Sequence, residues 1–563
     1  MRSIVPTLTI ALSALFAAGS AAQDDYPYAA LDPKAYDPAV DPQYSLFMGH
    51  WQQAMPRLMH GSLVFRDILT RLEGEDSLHP TRKSAVLVYN SAISYATLEP
   101  GATAQSQSLE EQQQVFYVNS GQGILRSGDA THTLKQGDAF IVTPKFDWTL
   151  EHAGQEPLTM YALTEPLPED FEPNEQLVVK NRFDNDLFMR VHWSNIDRPI
   201  IGQADGMANY RGLTFVNIDA MTMAQPHSHN PDVEEAWIAL KGETKLLLGK
   251  QLFDLPPGSA YKIPDNGLTA HAHINMTDEP IQLIHMMKNV RGERLKYSML
   301  QPEQFDPATD PAIDMFIGDW RHSMPRLMHN ALVFRDMLTE LQGPDQLHPT
   351  RKGAVLLHTK AISRATLEPG ATATPSPLEG VQQVFYVDSG TGVIASGEQA
   401  TELRKGSSFI IAPDLDFSLR TTSEEPLAMY VVTEKITDGA QTNASLYVTD
   451  GFEQPTFMRY HWANIDRPII GQANGMVAYR GLTAVQLDAM TMAQPHSHGE
   501  TTEEVWIALE GDIHLLMGKE LRVLPVGSAY KVPATGKTAH SNINASQEPV
   551  QLIHMMNPRR RSQ

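Results

Sequence analysis

One constellation of residues occurs twice in this 563-residue chain, and the two copies stand 269 positions apart. The first reads Gln225-Pro-His227-Ser-His229, then Glu234-Glu235, His271 and Asn275; the second reads Gln494-Pro-His496-Ser-His498, then Glu503-Glu504, His540 and Asn544. Side chains alternate along a β-strand, so two imidazoles at i and i+2 share one face. A carboxylate and a third imidazole from later strands would complete a mixed nitrogen and oxygen shell for a divalent metal. Such a shell leaves a coordination position open, which marks a reactive site more than a structural one.

These residues resemble the two sequence motifs of the cupin superfamily. The first motif is His-x-His, a Glu, six residues and a Gly, matched here by His227-Ser-His229, Glu235 and Gly242, and again by His496-Ser-His498, Glu504 and Gly511. The spacing to Gly selects Glu235 and Glu504 over Glu234 and Glu503. The second motif is matched by Pro264, Gly267, His271 and Asn275, and by Pro533, Gly536, His540 and Asn544. Gly and His stand one residue further apart than usual, which predicts a slightly longer loop. The resemblance implies an all-β fold and two metal shells, His227, His229, Glu235, His271 and His496, His498, Glu504, His540. Each would hold a divalent transition metal (Fe, Mn, Zn, Ni or Cu), up to two per chain.

The same offset relates Trp51 to Trp320, Met55-Pro-Arg57-Leu-Met-His60 to Met324-Pro-Arg326-Leu-Met-His329, and Arg198-Pro199 to Arg467-Pro468. Within a half, Trp51, Pro56-Arg57 and Phe65-Arg66 are echoed by Trp193, Arg198-Pro199 and Tyr210-Arg211. β-forming runs such as Gln114-Val-Phe-Tyr-Val lie between turn residues. The expected architecture is four cupin (jelly-roll) β-barrels arranged as two tandem bicupin repeats. Their expected bounds are 43–166, 180–290, 312–435 and 449–560, with polar or Pro-bearing seams near 167–177, 288–311 and 435–443. The first and third barrels have lost the metal pattern: Gln105, Ser106 and Gln107, or Thr374, Pro375 and Ser376, stand where His-x-His belongs. Gln114 and Gln383 hold the Glu place. These neutral side chains are poor ligands, so both barrels read as structural or pocket-shaping partners.

Strand parity puts Trp237 and Ala239, and Trp506 and Ala508, on the interior face with the carboxylate. His285 and His554, in late Leu-Ile-His-Met-Met strands, are candidates for a proton shuttle or for orienting a ligand, set against a hydrogen-bonded interior role. Arg211 and Arg480 are candidates for holding a substrate carboxylate, although Arg66 and Arg335 recur in the degenerate barrels and favour a structural role. The pairs His192-Trp193 and His461-Trp462 read as interface or packing residues.

A net charge of −22 argues against a nucleic-acid partner, and the short run Arg559-Arg560-Arg561 does not reverse it. Residues 1–22 read as a cleavable signal peptide, with Arg2, an apolar stretch from Ile4 to Ala18 and small residues before Gln23. No later stretch is long and apolar enough to suggest a membrane span, and the absence of Cys excludes disulfides and thiolate ligands. The expected setting is periplasmic or secreted, with a small-molecule substrate; a homo-oligomer is compatible. The metal and the aromatic, Met-lined interior favour a dioxygenase-like oxidoreductase on a small oxygenated organic substrate. Two alternatives stand beside it: a non-redox isomerase or lyase acting on carbohydrate-derived acids, and a non-catalytic ligand-binding or storage protein.

Overall fold

The computed structural model describes residues 41–107, 109–189, 192–229, 233–289, 296–297, 310–437, 439–458, 461–499 and 501–558. The expected signal peptide and the basic C-terminal run lie outside them. The described chain is built from β-strands joined by turns and short 3-10 helices. None of its helices is long and apolar enough to cross a membrane.

In each half, two barrels stand side by side. The first barrel of the first half has an extended sheet running Val178–Asn181, Asp138–Val142, Gln112–Ser120, Leu158–Pro166, Ala92–Leu98, Leu63–Arg71 and Pro56–Met59. A four-stranded sheet of Thr103–Gln105, Thr149–Ala153, Gln122–Ser127 and Ala130–Leu134 faces it. Leu63, Phe65, Phe116, Leu125, Phe140 and Leu150, contributed by both sheets, form its apolar core. The second barrel has a six-stranded sheet in the order Met48–His50, Ser259–Lys262, Val233–Lys241, Ile281–Asn289, Gly212–Ile218 and Asn195–Gly202. The second half repeats both arrangements.

The sheets do not follow the linear bounds read from sequence. Met48–His50, inside the first expected barrel, pairs with Ser259–Lys262 of the second. Val178–Asn181, at the expected seam, pairs back onto Asp138–Val142 of the first. Ile317–Asp319 and Tyr447–Asp450 make the same exchange in the second half. The reason is edge satisfaction: an open strand edge carries unpaired N–H and C=O groups, and each barrel covers one edge of its neighbour.

Buried carboxylates pin the exchange. Glu165 of the first barrel accepts from the backbone N–H groups of Ala208, Asn209 and Tyr210 in the second, at 3.0, 2.9 and 3.2 Å. Glu234 of the second accepts from Val88 N–H, Tyr89 N–H, the Asn90 amide and Tyr210 Oη. Glu434 and Glu503 repeat these contacts. Charge-assisted bonds of this kind are roughly twice as strong as neutral ones.

The two halves are joined through their second barrels. A ten-stranded sheet runs from one into the other, with Thr222 opposite Glu520 and Gln251 opposite Thr491. Leu252 N–H donates to Met490 O at 2.8 Å, and Leu521 N–H to Met221 O at 2.9 Å. Met221 and Met490 both take left-handed backbone (φ 51° and 54°), an uncommon conformation held at each crossing.

Candidate metal centres

His227–Ser228 is a two-residue strand lying beside His271–Asn275, with His227 opposite His271. Val233–Lys241 brings Glu235 from the other sheet. One donor atom from each of His227, His229, Glu235 and His271 lies within 4.8 Å of the other three, and His496, His498, Glu504 and His540 gather in the same way. All eight side chains are buried. Parity also explains why Glu234 takes no part. It points to the opposite face, where it locks the neighbouring barrel.

Two ligand candidates in each site are held from behind. His227 Nδ1 sits 2.9 Å from Gln225 O, and His496 Nδ1 sits 2.8 Å from Gln494 O. A carbonyl only accepts, so Nδ1 carries the proton and Nε2 keeps its lone pair. Trp237 Nε1 donates to Glu235 Oε1 at 2.6 Å, and Trp506 Nε1 to Glu504 Oε1 at 2.6 Å. His229 Nε2 lies against Glu235 Oε2, while His271 Nε2 is 3.4 Å from Oε1. Burial holds the His227 and His271 imidazoles below their ordinary range, and hence neutral. Burial pushes the Glu235 carboxyl up, but His229 and His271 beside it outweigh that and hold it well below the carboxylate range. The second site repeats these directions at His496, His540 and Glu504.

These residues fit a divalent cation. Neither ring nitrogen of His271 or His540 has a hydrogen-bond partner of good geometry among the described residues. Buried polar atoms without partners are costly, and a cation at the centre of each cluster would satisfy them. Three imidazoles and one carboxylate suit first-row divalent metals. Asn275, by contrast, is a staple: its Nδ2 donates to Asp219 O and Glu279 O at 2.9 and 2.8 Å. Gly242 closes the first motif at φ 89°, where a Cβ would meet Ile281 at 2.7 Å.

Trp237 and Trp506 face the interior, each bonded to its carboxylate. His285 Nε2 is 3.4 Å from Glu235 Oε1, and His554 Nε2 is 3.2 Å from Glu504 Oε1; both side chains are about a quarter exposed, at 24% and 25%. Arg211 and Arg480 are exposed. Each immediately precedes its strand and shares parity with Leu213 or Leu482, whose face is opposite to the row of Thr214 or Thr483. This placement sets them apart from the ligand cluster and does not suit a clamp on a bound substrate.

Three pairs carry more than their sequence reading gave them. The His192 ring stacks on His227 at 4.3 Å and 20°, and His461 on His496 at 4.2 Å and 13°. Burial drops both imidazoles to a pKa of about 3. The repeated His-Trp pair was the visible signal, but no spacing rule ties it to the ligands. Thr214 lies across from His285, and Asp197 across from Val216, on the interior face; Thr483 and Asp466 repeat them. Burial raises the Asp197 carboxyl to about 6, opposed by His285. The two interiors differ one layer down: His273 accepts or donates at 2.9 Å to Tyr261 Oη, whereas Asn542 accepts from Tyr530 Oη at 3.0 Å.

In the first and third barrels the ligand place is filled differently. His60 Nε2 is 2.8 Å from Gln114 Oε1, and His329 Nε2 is 2.7 Å from Gln383 Oε1.

A family model described as "Cupin domain" matches residues 94–164, 214–287 and 363–433. These three segments belong to the cupin superfamily, and they are arranged in tandem repeat. The fourth barrel is the image of the second at the repeat offset, its strands Gly481–Leu487 to Val550–Pro558 matching Gly212–Ile218 to Ile281–Asn289. No curated protein matches the chain. Similar solved structures include a Pseudomonas aeruginosa structural-genomics target named for induction by glyoxylate. It is 12% identical, with a TM-score of 0.37 over 47% of this chain and 97% of that one. A Bacillus subtilis oxalate decarboxylase, whose title names Mn(II) centres, is 10% identical, with a TM-score of 0.34 over 47% of this chain and 80% of that one.

Proposed function

We propose that this chain is an exported, metal-dependent cupin enzyme with two active barrels, acting as a dioxygenase-like oxidoreductase on a small oxygenated organic substrate. The observation that carries it is the convergence, twice, of three imidazoles and one carboxylate within 4.8 Å of one another. A first-row cation there supplies Lewis acidity and, when redox-active, electrons for O2 chemistry. The chain's own residues do the rest. The Gln225 carbonyl and the Trp237 indole fix the orientation of His227 and Glu235. His285, 24% exposed beside Glu235 Oε1, is placed to exchange a proton with a bound molecule. His192, stacked on His227, keeps water from that side of the cluster.

Elemental analysis of the purified protein, followed by O2-uptake assays with diols and ketols, tests this reading. Two equivalents of iron, copper or manganese with substrate-dependent O2 uptake are expected. Turnover without O2 consumption, or no metal, would sink it. Export rests on the apolar segment at residues 4–18, and cell fractionation of the full chain tests it.

A further inference from the structure

The two halves of the chain meet reciprocally. Thr222 stands opposite Glu520 and Gln251 opposite Thr491, and Leu252 N–H meets Met490 O as Leu521 N–H meets Met221 O. Moving one member forward by 269 positions and the other back by 269 turns each contact into its mate, the signature of a two-fold relation between the halves. A contact that the second half makes on the first therefore has an image made by the first half on the second.

One such contact touches a ligand strand. Lys296–Tyr297, ahead of the third barrel, pairs antiparallel with His227–Ser228, with Tyr297 opposite His227 and Lys296 opposite Ser228. His227–Ser228 thus lies between His271–Asn275 and a strand from the segment that leads into the other half, and that strand ends the ten-stranded sheet. In the fourth barrel His496 repeats the pairing with His540, through backbone N–H···O contacts of 3.2 and 2.8 Å.

The image of Lys296–Tyr297 is Pro27-Tyr28, ahead of the first barrel. The two leading segments match: Tyr28, Leu31, Pro33, Asp37-Pro38-Ala39 and Asp41-Pro42 recur as Tyr297, Leu300, Pro302, Asp306-Pro307-Ala308 and Asp310-Pro311. Residues 24–40 lie outside the described chain, but the point at which they join it is fixed. Asp41 borders one cleft with Leu268 of the second barrel and Trp462 of the fourth. The neighbour of Trp462 is His461, whose ring stacks on the ligand candidate His496 at 4.2 Å. The segment therefore joins the first barrel beside the ligand strand of the fourth. Tyr28 precedes Asp41 by as many residues as Tyr297 precedes Asp310, so the tether is the same length. Pro27 suits an outermost strand, where its missing N–H costs no ladder bond.

We infer that residues 24–40 dock on the fourth barrel as an added strand, with Tyr28 opposite His496 and Pro27 opposite Ser497, so that the leading arm of each half braces the His-x-His segment of the other. Pairing along both edges fixes the backbone that carries the two imidazoles, and metal affinity depends on that orientation. The inference concerns how the ligands are held and stands apart from the reaction proposed above.

The chain has no Cys, so engineered cysteine pairs test the register directly. Alternation turns Ser228 and Ser497 away from the ligand clusters, and directly opposed residues on paired strands come close enough for a disulfide. In the full chain, Pro27→Cys with Ser497→Cys should form a disulfide within one chain on mild oxidation, as should the reference pair Lys296→Cys with Ser228→Cys. Pro27→Cys with Ser228→Cys should stay reduced. Deletion of residues 24–40 should weaken Zn2+ binding at the fourth barrel by about tenfold or more, read by chelator competition in the Glu235→Gln background. The same deletion should leave the second barrel unchanged in the Glu504→Gln background. A disulfide joining two chains would give the seat to a second copy and overturn the proposal. So would a reduced 27–497 pair beside an oxidised reference pair, or a deletion that weakens both sites alike or neither. If the parent binds no Zn2+, the metal reading fails and the disulfides alone decide this one.

Discussion

The first and second barrels of each half share a fold and differ at one strand position. Gln114 and Glu235 both stand on the central strand of their sheet, seven residues before a turn glycine, Gly121 or Gly242, with φ 81° or 89°. At Glu235 three imidazoles converge, one donor atom of each within 4.8 Å of the others and of the carboxylate. At Gln114 a single imidazole, His60, meets a neutral amide at 2.8 Å, and the Gln114 amide reaches on to Thr164 Oγ1 at 3.2 Å. The degenerate barrels kept the glycine that the turn needs and gave up the charge that only a metal needs. A hydrogen-bonded His-Gln pair satisfies a buried polar centre without a cation; three imidazoles facing one carboxylate leave ring nitrogens without partners.

The largest test of that contrast is Glu235→Gln. It should remove one of the two metal equivalents and the activity of that barrel while the other site stays loaded, read by elemental analysis. His227→Ala should do the same, and full metal retention in either variant would break the ligand assignment. Next comes the adjacent residue. Glu234→Gln should keep both metals but loosen the barrels from each other, costing roughly 3 kcal/mol in a denaturant titration, because four donors lose a charged acceptor. Loss of metal there would mean that the two neighbouring carboxylates do not divide the work by parity. Gln114→Glu is the converse experiment. With one imidazole in reach it should gain no third metal equivalent and should lower stability by about 2 kcal/mol; a third equivalent would show that the degenerate barrel lacks only its carboxylate.

The smallest effect concerns acid. Burial holds the His60 imidazole below its ordinary value of 6.5. Below that value the unfolded chain takes up a proton that the folded barrel resists, so this stability is present above about pH 6.5 and is lost as the pH falls. His60→Asn tolerates the left-handed backbone (φ 52°) and cannot titrate. Its melting temperature should therefore fall less between pH 7.5 and pH 5.5 than that of the parent.

Much of the site was legible beforehand because its rules are local. Period-two alternation put His227 with His229 and Trp237 with Glu235, and the spacing to Gly242 separated Glu235 from Glu234. Alternation could not say what Glu234 would face, because its partners Val88 to Asn90 lie about 145 residues earlier, in another barrel. The side to which Arg211 turns was hidden for a related reason. Its place just before the strand was visible, but the side that the strand turns to its neighbour was not. His192 and His60 sit in loops or tight turns, where no periodicity reports direction.

The sequence by itself determined the repeat, the all-β class, the ligand types and which pairs share a strand face, since each follows from chain-local geometry or from one segment resembling another. Only the tertiary structure decided that Met48–His50 completes the second barrel, that one sheet runs through both metal barrels, and that His285 borders the cluster. Those are edge pairings and interior neighbours between distant segments. They are set by which exposed backbone groups and side chains must be covered once the sheets close, and no local pattern encodes that.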